Sequence, residues 1–95
     1  MVVSVSRIVA QPDQRDELRQ RCQAVANASV QEAGCLALRV FQNMQDVNDF
    51  TMIGEFEDLS AYEAHLAKRY LQDLLADIPS LTDGQLVNWV ASETV

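Results

Sequence analysis

"FTMIGEFEDLSAYEAHLAKRYLQ" (50–72) changes its hydrophobic period partway along. In 50–57, Met52, Gly54 and Phe56 share one face and Glu55 and Glu57 the other, the two-residue repeat of a strand. In "SAYE" (60–63) the pattern turns helical. Ser60 can accept from the Glu63 N–H while Glu63 reaches back, which makes a capping box. A helix starting at 61 then carries Tyr62, His65 and Leu66 in its first turns. Leu71, Leu74, Leu75 and Ile78 follow at i, i+3, i+4 and i+7, an apolar stripe. The stripe does not run through "AKRY" (67–70), so a bend or break is predicted there. Pro79 and "TDG" (82–84) are read as the stop.

Upstream, "CLALRVFQNM" (35–44) reads as a strand joined to 50–57 through the polar turn "QDVND" (45–49), an antiparallel hairpin. "VVSVSRIVAQ" (2–11) is rich in β-branched residues and reads as the first strand. In 12–34, Leu18, Cys22, Val25, Ala26 and Ser29 fall on one helical face. Pro12, Asp13, Asp16 and Glu17 suit the start of that helix, Gly34 suits its exit, and Glu17 and Arg21 are placed for an i,i+4 pair. "QLVNWVASE" (85–93) is the last strand. The order β-α-β-β-α-β predicts an α+β, ferredoxin-like fold: a four-stranded antiparallel sheet with both helices on one face. The strands are apolar on both sides: Val3, Val5 and Val9 oppose Val2 and Ile8, and Leu86 and Val90 oppose Val87, Trp89 and Ala91. Two helices cover one face only. The other is an exposed apolar patch, which predicts a homodimer packed through its sheets.

Composition bounds the function. The chain has 95 residues, a single domain spanning 1–95, with a formal net charge of −7. Its seven Lys and Arg residues are scattered, so there is no basic stripe for nucleic acid or an anionic membrane. Two cysteines make neither a disulfide framework nor a zinc set. No apolar run approaches a membrane span and no leader is visible at the N-terminus, so a reduced, cytoplasmic protein is expected.

"EAGCL" (32–36), "FTMIGEFED" (50–58) and "AHLAKRYLQ" (64–72), in this order and spacing, resemble the antibiotic biosynthesis monooxygenase family. Members commonly show Glu-Pro-Gly-Cys, an "EEWED"-like strand, and a helix with two histidines. The resemblance covers nearly the whole chain. It implies a dimeric α+β barrel with a pocket between the helices and sheet of each protomer. His65 falls on the first histidine of the helix motif and Tyr70 on the second. Phe56 stands at the usual Trp, Ala33 at the usual Pro, and Ser6 where the heme-degrading branch has Asn. That branch relies on an Asn, a Trp and a downstream His; the aligned positions here offer Ser6 and Phe56, and no His follows 65, so heme degradation is disfavoured. Processing of a phosphorylated autoinducer, suggested by "SVQEAG" (29–34), is disfavoured by Tyr70 and by the acidic balance.

The implied activity is monooxygenation without a cofactor. Triplet O₂ reacts slowly with closed-shell molecules, and a flavin or metal normally supplies single electrons. Without one, the substrate must be the reductant: a quinol or polyphenol-like aromatic activated as its anion. The protein removes a proton, stabilises the anion and excludes water. His65 is the candidate base, since an unperturbed imidazole accepts a proton near neutral pH; the plainer reading is a solvated helix histidine. Tyr70, Phe56, Met52, Ser6 and Tyr62 are the candidate substrate-binding residues. Tyr70 is a donor to a substrate oxygen or a core-edge aromatic. Gly54 leaves room for a planar ligand or permits close packing. Trp89 is assigned to the dimer interface, Arg39 to a pair with Glu55, Cys35 to packing, and Glu55, Glu57 and Asp58 to a solvated strand end rather than a metal site. The alternative is a non-catalytic dimeric ligand-binding or stress-response barrel. An enzyme needs His65 to face a closed cavity of several hundred Å³ (roughly 300 Å³ or more).

Overall fold

Two strands dominated by β-branched and aromatic residues form the middle of the sheet. β1 (Val2–Val9) pairs antiparallel with β3 (Asp49–Phe56), Val2 opposite Phe56 and Val9 opposite Asp49. β2 (Cys35–Gln42) flanks β3 and β4 (Val87–Ser92) flanks β1, giving the order β2-β3-β1-β4. The computed structural model describes residues 1–84 and, in β4, the backbone of 87–92. The Trp89 side chain, the facing of the β4 residues, and positions 85, 86 and 93 of the predicted last strand lie outside the described residues.

Alternation assigns the two faces. Val2, Ser4 and Ile8 of β1 and Phe50, Met52, Gly54 and Phe56 of β3 are buried on the helix-covered side. An irregularity between Cys35 and Ala37 resets β2, so Leu38 and Val40 pair with Gly54 and Met52 on that side. Ala37, Arg39 and Phe41 pair with Glu55, Ile53 and Thr51 on the other. That open face also carries Val3, Val5 and Val9, each only partly buried, with Phe41 48% exposed. No described helix covers it. Arg39 approaches Glu55 to 4.0 Å across the hairpin. Arg7 donates from Nε and Nη2 to the Asp49 carboxylate, each at 3.0 Å, and Asn43 Nδ2 adds a third donor, so one acid fastens β1 to the hairpin base.

The helices differ from the sequence reading at their ends. A 3₁₀ turn at Pro12–Gln14 leads into α1 (Arg15–Ser29), which buries the predicted Leu18, Cys22, Val25, Ala26 and Ser29. α1 stops at Ser29 rather than running to 34, because residues 30–34 form a turn closed by Gly34 at φ 83°. Arg21 pairs with Asp77 at 2.9 Å rather than with Glu17. The Ser60–Glu63 box is replaced by Asp58. Asp58 is extended and accepts from the Ala61 N–H at 2.8 Å, so α2 (Leu59–Leu66) begins two residues early. The break expected in 67–70 falls at Ala67–Lys68: Lys68 adopts an extended conformation and starts α3 (Arg69–Leu81). Pro79 does not stop α3. It lies in the last turn, where only one backbone bond is lost, and Thr82 closes the end by donating from N and Oγ1 to the Ile78 carbonyl.

Candidate functional site

A cavity of about 130 Å³ lies between the helices and the covered face of the sheet. Every layer of the fold contributes to it. Ser4 and Ser6 come from β1, Leu38 from β2, Met52 from β3, Val25 from α1, Tyr62, His65 and Leu66 from α2, and Leu71 and Leu75 from α3. The space is smaller than the several hundred Å³ anticipated, because leucines converge on it from β2, α2 and α3.

His65 is 5% exposed and sits at this wall. Its Nδ1 lies 3.2 and 3.1 Å from Oε1 and Oε2 of Glu32, whose side chain is as buried as the imidazole. A carboxylate only accepts, so Nδ1 carries the proton and donates it. In the neutral ring the lone pair is then on Nε2. Nε2 forms no hydrogen bond with the described residues. A base held by an acid on one nitrogen, with the lone pair on the other, is an arrangement suited to proton abstraction.

Local structure makes this pair possible. Glu32 rides on the 30–34 turn, which is anchored by the Glu57 N–H donating to the Gly34 carbonyl at 2.8 Å. A β-carbon on Gly34 would lie 2.6 Å from Ala61 Cβ. The turn therefore rests directly on α2, one helical turn from His65. Behind the imidazole stands Phe56, fully buried, with ring centroids 5.0 Å from His65 and 5.3 Å, edge-on, from Tyr62.

Of the candidates, His65, Met52, Ser6 and Tyr62 converge on the cavity. Phe56 supports His65 from behind instead of lining it. Tyr70 packs at the edge of the core, its hydroxyl buried without a hydrogen-bond partner among the described residues. Gly54 does not leave space for a planar ligand. A β-carbon there would lie 2.8 Å from Leu38 Cδ1, Phe56 Cε2 and Ser4 Oγ, so close packing already uses the gap. Cys22 is buried, which pushes its thiol up to about 11, and burial with the nearby Glu32 charge also raises Cys35. Neither is an activated nucleophile. Among the described residues no three His, Cys, Asp or Glu side chains gather as a metal set, and no helix is long and apolar enough to cross a membrane.

Two contributors escaped the sequence reading. Glu32 entered only as the first residue of the "EAGCL" motif, with no role of its own; its signal was that place directly before the Ala-Gly-Cys turn. Ser4 was signalled by parity, since it shares with Ser6 the otherwise apolar inward side of β1.

The profile of the family described as antibiotic biosynthesis monooxygenase matches residues 1–77. Solved structures repeat the fold over the whole length. A Mycobacterium tuberculosis protein superposes with a TM-score of 0.91 at 17% identity, covering 99% of this chain and 95% of its own. PA3566 from Pseudomonas aeruginosa gives 0.88 at 22%, covering 99% and 94%. A Deinococcus radiodurans protein assigned in its description to the same family gives 0.85 at 26%, covering 100% and 96%. No curated protein matches the chain significantly.

Proposed function

The chain belongs to the antibiotic biosynthesis monooxygenase family, and from that premise we propose that it is a cofactor-independent monooxygenase acting on an electron-rich phenol or quinol. One observation carries the reading: the buried Glu32–His65 pair is bound through Nδ1, and the imidazole, whose Nε2 forms no hydrogen bond among the described residues, lines an apolar cavity. Nε2 takes the hydroxyl proton of the substrate. The Glu32 carboxylate stabilises the imidazolium that forms, and the surrounding leucines keep water from quenching the anion. The ring anion then supplies the electrons that O₂ requires. For a quinol the balance closes without another reductant. Four electrons leave the ring, one oxygen atom bonds to a ring carbon, and the other departs as water with the two displaced protons, leaving a hydroxyquinone.

The test is oxygen uptake by metal-free, flavin-free protein with a panel of phenols and quinols. His65→Ala is expected to lower turnover by about 10²-fold or more. Unchanged turnover would remove His65 from the mechanism. Absence of uptake by the native chain across the panel would favour the rival reading, a non-catalytic ligand-binding barrel. The small cavity volume supports that rival.

The same reading includes a two-fold dimer closed through the open sheet face, on which Val3, Val5, Ile53 and Phe41 are incompletely buried in the single chain. A reducing, cytoplasmic location is proposed with it.

A further inference from the structure

The cavity restricts the substrate more tightly than the reaction does. Its volume is about 130 Å³. A dry protein cavity of roughly 150 Å³ is known to hold one benzene molecule. Ligands of two or three fused rings belong to sites of roughly 300 Å³ upward. The lining is also chemically one-sided. Among the described residues, valine, leucine and methionine make most of it, and no Lys or Arg lines it. The Glu32 carboxylate, held against His65, repels an anion. A carboxylate or phosphate entering here would lose its hydration with no cation to receive it.

Among the described lining residues, two polar atoms are placed to meet a ligand. His65 Nε2 is an acceptor, and Ser4 Oγ, which also lines the cavity, makes no side-chain hydrogen bond among the described residues. Together they suit a hydroxyl group, which donates to the ring nitrogen and accepts from, or donates to, the serine.

We infer that the site accepts an uncharged, single-ring phenol, entering protonated, and excludes both fused-ring aromatics and phenols that carry an acid group. This rests on the cavity being the substrate site of the proposed monooxygenase. It departs from the larger polyphenols that the family resemblance admits.

Binding separates the two ideas, because it needs no chemistry. The probes are phenol, 2-naphthol and 4-hydroxybenzoate, titrated into the intact protein and read from the methyl NMR signals of Met52, Leu71 and Leu75. Phenol is expected to bind saturably and shift these methyls. 2-Naphthol and 4-hydroxybenzoate are expected to bind at least about tenfold more weakly, the scale of discrimination a shaped apolar pocket achieves. Leu75→Ala, at a half-buried position, enlarges the cavity and is expected to bring 2-naphthol to parity with phenol. Leu71→Val, a smaller truncation, tests the same point should the first variant not fold. Equal or tighter binding of 2-naphthol by the native protein, or 4-hydroxybenzoate binding as well as phenol, overturns the inference. So does the absence of any phenol binding. Oxygen uptake with hydroquinone and with 1,4-dihydroxynaphthalene supplies the other axis. Phenol-selective binding without uptake from either quinol defeats the monooxygenase reading and upholds the size limit. Uptake from the two-ring quinol alone defeats the size limit and upholds the reading.

Discussion

Glu32 and His65 lie 33 positions apart in the chain and meet at 3.1 Å. Glu32→Gln tests what the charge does. The amide keeps the shape and still accepts from Nδ1–H, but it does not stabilise an imidazolium. Turnover in the oxygen-uptake assay is expected to fall by about 10²-fold while KM for the same substrate changes little. An equal rise in KM would assign Glu32 to cavity shape instead. A second acid has a purely structural role. Hydrogen bonds from Arg7 hold the Asp49 carboxyl below its usual range, against an opposing contribution from burial, and Asn43 reinforces the lowering. A folded-state pKa below the unfolded value means that this stabilisation is complete above about pH 4, near the unfolded pKa. It is lost as pH falls through the lower, folded value. Urea midpoints are therefore expected to drop less steeply with acid in Asp49→Asn than in the native chain. Four candidates line the cavity: His65 and Ser6 came from the resemblance, Met52 from the strand face it shares with Gly54 and Phe56, and Tyr62 from its place in the first turns of the helix. Glu32 was not legible, since the helix was read as running to 34, and only the turn that follows Ser29 carries this carboxylate inward.

At the scale of elements, the critical junction is where the 30–34 turn meets α2. Gly34 has two reasons to be glycine: a φ of 83° and an Ala61 Cβ that a methyl group would meet at 2.6 Å. Gly34→Ala is expected to cost about 1–3 kcal/mol from backbone strain alone, with the clash added. The two parts separate in a double-mutant cycle. In an Ala61→Gly background the clash is gone, so the same substitution is expected to cost less by about 0.5 kcal/mol or more, read from urea unfolding. Strict additivity would show that the turn and α2 do not press on one another. The break between α2 and α3 was legible because the apolar stripe fails at 67–70, and Gln72 secures it by donating to the Leu66 carbonyl. The start of α2 was not, because Asp58 and Ser60 are both good caps and only the extended backbone at 58 decides between them. Pro79 misled because a proline near a helix end costs one bond, not a helix.

For the whole molecule, the β-α-β-β-α-β order followed from changes of hydrophobic period, and the fold of solved relatives at low identity repeats it. The size of the cavity did not follow, because volume depends on how far leucines from separate elements lean together. The strands' two apolar faces are the basis for the proposed dimer. Val5→Asp, centred on the open face, is expected to shift sedimentation from dimer to monomer while the circular dichroism stays native. A native chain already monomeric at micromolar concentration would remove the sheet-to-sheet dimer. The unfilled space among Leu38, Leu66, Leu71 and Leu75 has a mechanical consequence as well. The part of it roofed by these side chains is volume that the unfolded chain gives up, and hydrostatic pressure favours the state of smaller volume. A molecule lodged there is therefore expected to raise the pressure at which the chain unfolds.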